Sequence, residues 1–203
     1  MIRVGLPKGR MAAESARFCG ALGVRIQPGV LRYVTAVNGL DVAILLVKAP
    51  DVARLLQGNL LDLGLTGDEW LMEADAPADC RCFEARSYVA SVCLLMARDD
   101  PRSIRSVRSV ATPYPNLARS LLHRIAPDAE IVAVSGSSEA LVPDIADGCL
   151  DLVETGTSAA LNSLAVRGSF NHVTTHLARS DACDPVIVAP IVGLFANALE
   201  AVL

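Results

Sequence analysis

The 203-residue chain lacks most of what a nucleic-acid or membrane protein needs. Aromatic residues make up only 4% of it, too few to stack bases, and no basic run offsets the formal net charge of -4. Nucleic acid is therefore not expected as a partner. Long apolar runs are missing as well. The longest uncharged stretch, Pro185 to Leu199, contains Pro190, Gly193 and Asn197 and falls short of the roughly 20 residues of a membrane span. Charges at Arg3, Lys8 and Arg10 interrupt the only candidate leader, so no secretory signal is expected. The six cysteines offer one close pair, Cys80 and Cys82, in a C-x-C spacing that matches no zinc or redox motif. With apolar neighbours such as Leu94 and Leu150, they read as small core residues of a reducing compartment, and a cytoplasmic location is expected.

Several catalytic signatures are also absent. No Walker A loop and no G-x-G-x-x-G occurs, and Ser135-Gly136-Ser137-Ser138 is not a nucleophile elbow. His172 and His176 stand four apart, but the intervening Val-Thr-Thr favours a strand and no third metal ligand is near in sequence. A protein-held metal is not expected.

What is present is an alternation of short apolar runs with longer amphipathic ones, the pattern of an α/β protein. Strands are predicted at 2–6, 41–47, 60–66, 87–97, 109–112, 130–134 and 150–153. Helices are predicted at about 11–22, 50–56, from 68 to 73, 116–125, 138–146 and 186–202, the last bent or begun near Pro190. Leu61 to Gly67 and Leu150 to Gly156 both read L-D-L-x-x-T-G, 89 residues apart, each after a predicted helix ended by a glycine (Gly58, Gly148). Each copy predicts a strand whose end delivers a Thr-Gly turn just before a helix, at the sheet edge where α/β proteins bind ligands. The echo predicts two similar lobes joined by short crossovers and facing a cleft.

Two segments carry anion-binding chemistry. In Asp151 to Ser158 a strand ends in Gly156 and the hydroxyls of Thr155, Thr157 and Ser158, next to a predicted helix start whose N–H groups favour phosphate. Asp151 and Glu154 would repel phosphate and suit sugar hydroxyls instead. After the first strand, Lys8-Gly9-Arg10 offers two cations around a residue that lets backbone approach a polyphosphate.

Five segments in order resemble one family. They are L-P-K-G-R at Leu6 to Arg10, G-N-L-L-D-L-G-L-T-G-D at Gly58 to Asp68 and Y-P-N-L-A-R at Tyr114 to Arg119. Ser135 to Glu139 and D-L-V-E-T-G-T at Asp151 to Thr157 complete the set. Together they are similar to the short form of ATP phosphoribosyltransferase, the catalytic protein of the first step of histidine biosynthesis. The resemblance implies two type II periplasmic-binding-protein-like lobes flanking a ligand cleft, with residues 1–84 plus 171–203 on the nucleotide side and 85–170 on the donor side. It implies attack by adenine N1 of ATP on C1 of phosphoribosyl pyrophosphate, with Mg2+ carried by the substrate's pyrophosphate rather than by a protein cage. By position, it implies that Asp151, Glu154, Thr155, Gly156, Thr157 and Ser158 hold the ribosyl donor. Lys8, Gly9, Arg10, Asp68 and Glu139 are implied on the ATP side, and Arg10 and Arg32 as stabilisers of the leaving group. A homodimer and a histidyl-tRNA-synthetase-like regulatory subunit are the implied partners. Departures from the family pattern are Lys48 for Arg, Ala53 for Pro, Pro113 for Lys, Ala160 for a cation and Ser163 for Gly. They leave open a transferase with another heterocyclic acceptor, or a non-catalytic two-lobe binding protein for a phosphorylated metabolite.

Overall fold

Runs such as 42–44 and 63–65 leave no polar face, so the strands they form must be covered on both sides. The computed structural model, which describes residues 1–200, meets that demand with an α/β arrangement in two units. One unit comprises Met1–Ser87 and the chain from Thr174 onward; the other is Tyr88–Val173.

In the first unit β1 (Ile2–Pro7) leads through a 3-10 turn at Gly9–Met11 to α1 (Ala12–Ala21). β2 (Arg32–Val37) and β3 (Leu40–Val47) form a hairpin, followed by α2 (Ala49–Gln57), β4 (Leu63–Gly67) and α3 (Asp68–Glu73). β1 lies parallel to both β3 and β4, with Val4 opposite Ile44 on one side and Leu63 on the other. α2 carries Pro50 as its second residue, where the missing N–H costs nothing in a first turn. It buries Val52, Ala53 and Leu56 against Leu61 and Leu71.

β5 (Arg81–Ala97) carries the chain into the second unit. There follow β6 (Ser109–Thr112), α4 (Pro115–Leu122), β7 (Glu130–Ala133), a 3-10 turn at Ser138–Leu141, β8 (Gly148–Val153) and α5 (Thr157–Leu161). β6 is parallel to β7 and β8, β8 antiparallel to β5. Leu95, Ala111, Val142, Cys149, Ala159 and Leu164 pack there as one apolar cluster. β9 (Leu164–Arg179) returns the chain to the first unit, where it pairs antiparallel with β4. α6 (Pro185–Glu200) runs through Pro190 and closes that unit's core, Phe195 lying 4.8 Å from Phe18 between ring centroids. Residues 201–202 of the predicted closing helix lie outside the described residues.

The strand order is β2-β3-β1-β4-β9 in the first unit and β7-β6-β8-β5 in the second. Both units therefore share a core of two parallel neighbours, a third parallel strand and an antiparallel partner. The L-D-L-x-x-T-G copies occupy equivalent strands, β4 and β8.

Several expectations need correction. β2 was not predicted, although Asn38 and Gly39, both at positive φ (49° and 82°), are the pair a two-residue hairpin turn demands. β9 was not predicted, and β5 begins six residues before the predicted position 87, because their mixed polar runs lack an apolar signature. The units are consequently joined inside two long strands rather than by short crossovers. The helix predicted at 138–146 is one 3-10 turn: Pro143 holds Val142 extended (φ -101°, ψ 131°) and stops it. Gly148 starts β8 rather than ending a helix, whereas Gly58 caps α2 as expected, at an ordinary φ of -76°, with Asn59 making the left-handed turn after it.

Two substitutions should move stability in opposite directions. A β-carbon on Gly148 would lie 2.7 Å from the Leu95 carbonyl oxygen, an atom the sheet cannot move. Gly148→Ala should destabilise the protein by about 1–3 kcal/mol in urea unfolding. Ser163, two residues past the end of α5, stands at φ 56°, where the family pattern carries glycine. Ser163→Gly relieves that left-handed strain and should raise stability by about 0.5 kcal/mol, the rest being lost to unfolded-state entropy.

Candidate functional site

In the second unit β8 ends at Val153, and Glu154, Thr155 and Gly156 bend the chain into α5. Gly156 stands at φ 76°, a conformation that side chains resist, and this frees the following N–H groups from the strand ladder. The hydroxyls of Thr155 and Thr157 lie 2.9 Å apart, and Glu154, Thr155, Thr157 and Ser158 are all exposed. Asp151 points its carboxylate at the neighbouring turn: Oδ2 accepts from Ser138 Oγ at 2.5 Å and Oδ1 from the Leu152 N–H at 2.8 Å. Roughly half of its lone-pair capacity remains for a ligand. Ser158 Oγ donates to Glu139 Oε2, and Asn162 Nδ2 donates to the same oxygen at 3.3 Å. The structure thus brings Asp151, Glu154, Thr155, Gly156, Thr157, Ser158 and Glu139 into one neighbourhood. Sequence reasoning missed Ser138 and Asn162, which bind these carboxylates. The hydroxyl run at 135–138 was the available signal for the first.

In the first unit the candidate cations collect at the carboxyl edge of the parallel strands. Lys8 follows β1 and donates its N–H to the Val47 carbonyl at 2.9 Å, while Ser15 Oγ fixes the Pro7 carbonyl at 2.8 Å. Gly9 turns at φ 84°, and Lys8, Gly9 and Arg10 are exposed. Lys48 follows β3. Arg32 opens β2 and is exposed; because β2 runs antiparallel to β3, opposite Leu45, this too is the carboxyl edge.

Asp68, at the end of β4, differs in kind. Its carboxylate accepts from Arg81 Nε at 2.8 Å, the Thr174 N–H at 3.0 Å and His176 Nε2 at 3.2 Å. Burial would raise its pKa, but bonds from His176, the Thr174 N–H and Arg81 outweigh it and hold the carboxyl at about 2. Asp68 is thus committed to β9 and β5, which limits what it can offer a substrate. His176 and His172 lie on a strand, not a helix, and His172 instead meets Ser91 Oγ at 3.0 Å. Among the described residues no three His, Cys, Asp or Glu side chains gather as a metal centre, and no helix is long and apolar enough to cross a membrane.

A family model for ATP phosphoribosyltransferase matches residues 48–192. The chain belongs to the ATP phosphoribosyltransferase family. An ATP phosphoribosyltransferase of Rhizorhabdus wittichii is 33% identical over 215 residues, covering 98% of this chain and 96% of that protein. One from Desulforudis audaxviator is 30% identical over 193 residues, covering 91% of this chain and 67% of that protein. Among solved structures, a chain of the ATP phosphoribosyl transferase (HisG:HisZ) complex from Thermotoga maritima superposes with a TM-score of 0.84 at 19% identity, covering 99% of this chain and 100% of that one. A truncated, arginine-bound ArgBP from T. maritima gives 0.63 at 12% identity, covering 100% of this chain and 96% of that one. At these identities the likeness speaks to the fold, which is the α/β fold of type II periplasmic-binding-protein-like proteins.

The Asp68 network carries a pH signature. A carboxyl held at about 2, against about 3.9 in an unfolded chain, contributes stability that is complete above pH ~4 and is lost as pH falls toward 2. Asp68→Asn should therefore cost about 2 kcal/mol at pH 7. The gap to the parent protein should narrow in urea titrations run between pH 4.5 and pH 3.

Proposed function

We propose that the chain performs the family's reaction, transferring the phosphoribosyl group of phosphoribosyl pyrophosphate to N1 of the adenine of ATP, and that the two strand-edge clusters divide the substrates between them. The family match over residues 48–192 carries the reaction, which is the first step of histidine biosynthesis. A bond forms between adenine N1 and ribose C1 as the bond from C1 to the pyrophosphate oxygen breaks, with inversion. Unprotonated N1 is already nucleophilic, so the protein's task is alignment and stabilisation of charge on the leaving group.

In this reading the N–H groups at 155–158 and the hydroxyls of Thr155 and Thr157 receive the 5-phosphate. Asp151 and Glu154 accept from the ribose hydroxyls. The positive edge of the first unit, with Lys8, Arg10 and Arg32, offsets the polyphosphate charge that grows as pyrophosphate leaves; Lys48 adds to it. Magnesium enters with the donor's pyrophosphate. A homodimer and a histidyl-tRNA-synthetase-like regulatory subunit complete the working assembly in a cytoplasmic setting. The T. maritima complex supports such a pairing for that protein.

Pyrophosphate release, with and without ATP and with and without a regulatory subunit, tests the reaction; release independent of ATP would contradict it. Thr157→Ala should raise the KM for the ribosyl donor by about ten- to a hundredfold through a lost charge-assisted bond. Arg10→Ala should act mainly on kcat, lowering it by about a hundredfold or more. Unchanged turnover in both variants would overturn the site assignment.

A further inference from the structure

Resemblance places Glu139 on the ATP side, yet its hydrogen bonds lead to the loop assigned to the other substrate. Ser158 and Asn162, the two residues that donate to Glu139 Oε2, stand four apart and share one flank of α5. Asn162 Nδ2 also donates to the Ser158 carbonyl at 3.0 Å, closing a small ring around that flank. The adjacent Ser138 donates to Asp151 on β8. Residues 138 and 139 thus give β8 a donor and α5 an acceptor, tying the 3-10 turn to both sides of the 154–156 bend. A five-residue helix cannot hold its own geometry, and Ala159 is the only residue it buries.

We propose that Glu139 is a positioning residue for the ribosyl donor. It fixes α5 through Ser158 and Asn162 and so aims the N–H groups and threonine hydroxyls of the loop at the 5-phosphate. This rests on the reading of residues 155–158 as the donor's phosphate site. It also divides the loop's hydroxyls. The Ser158 proton is engaged by Glu139, so the Thr155–Thr157 hydroxyl pair, in which one donates to the other and one proton is left over, serves the phosphate, and Ser158 contributes through its backbone and its hold on the turn.

The test is isothermal titration of phosphoribosyl pyrophosphate without ATP, beside steady-state KM values for both substrates. The proteins are the parent chain, Glu139→Ala, Glu139→Gln and Asn162→Ala. Glu139→Ala should weaken donor binding, in Kd and KM alike, by about ten- to a hundredfold and leave the KM for ATP within about twofold. Glu139→Gln keeps an oxygen that accepts from both partners and should recover most of the loss, an outcome that a role resting on charge alone would not give. Asn162→Ala should shift the same parameter by a smaller factor. A rise confined to the KM for ATP, or donor affinity unchanged in Glu139→Ala, would overturn the assignment. Should Glu139→Ala fail to fold, unchanged donor affinity in Asn162→Ala would overturn it equally. A parent chain that binds the donor but releases no pyrophosphate with ATP, even beside a regulatory subunit, would count against the proposed reaction, while the donor Kd values still decide the role of Glu139.

Discussion

Both units depend on one constraint: parallel strands buried on both faces spend their backbone polar groups on each other. Val4, Ile44, Leu63 and Leu65 in one unit, and Leu94, Val110 and Leu150 in the other, are fully shielded from water. Chemistry is therefore pushed to where strands stop, and parallel strands stop together. Lys8 to Arg10, Lys48 and Asp68 follow three parallel strands of the first unit. Residues 154–158 follow β8 in the second. Arg32 reaches the same kind of edge by the opposite route, as the first residue of an antiparallel strand.

Three carboxylates near these edges are engaged by donors. Asp68 is held by β9 and Arg81, Asp151 by Ser138, and Glu139 by Ser158 and Asn162. An unpaired carboxylate facing an anion site would repel the phosphate the site is meant to take. Bonded to neighbouring donors, the same group fixes backbone geometry instead. Asp62 does this far from the sites, receiving the Arg3 N–H at 2.7 Å and the Arg3 guanidinium at 2.9 Å; burial opposes its ionisation, but the Arg3 bonds prevail and hold its pKa down.

The L-D-L-x-x-T-G echo shows how far sequence alone can be read. It correctly marked equivalent strands, β4 and β8. It misled about what the strand ends do. β4 runs through Thr66 and Gly67, so Thr66 is buried with its hydroxyl toward the Ala49 carbonyl, and α3 follows with no intervening turn. β8 stops at Val153, three residues earlier in the motif, and Thr155 and Gly156 emerge as an exposed bend. Identical letters thus give a core threonine in one unit and an exposed one in the other. Strand length is set by pairing partners, which the motif does not contain. β2 and β9 were illegible for a related reason: their residues mix polar and apolar side chains with neither an apolar run nor a strict alternation, and only their neighbours in the sheet make them strands.

The sequence by itself determined the fold class, the family and the loops that carry cations and hydroxyls. Apolar periodicity, glycine placement and short ordered motifs are local properties, and local chemistry suffices to state them. Only the tertiary structure decided which acidic side chain serves which neighbour. Asp68 reaches Thr174 and His176 across more than a hundred residues of chain, and Glu139 reaches Ser158 across nineteen. Such pairings are fixed by the sheet that brings the segments side by side, and no run of consecutive residues encodes them.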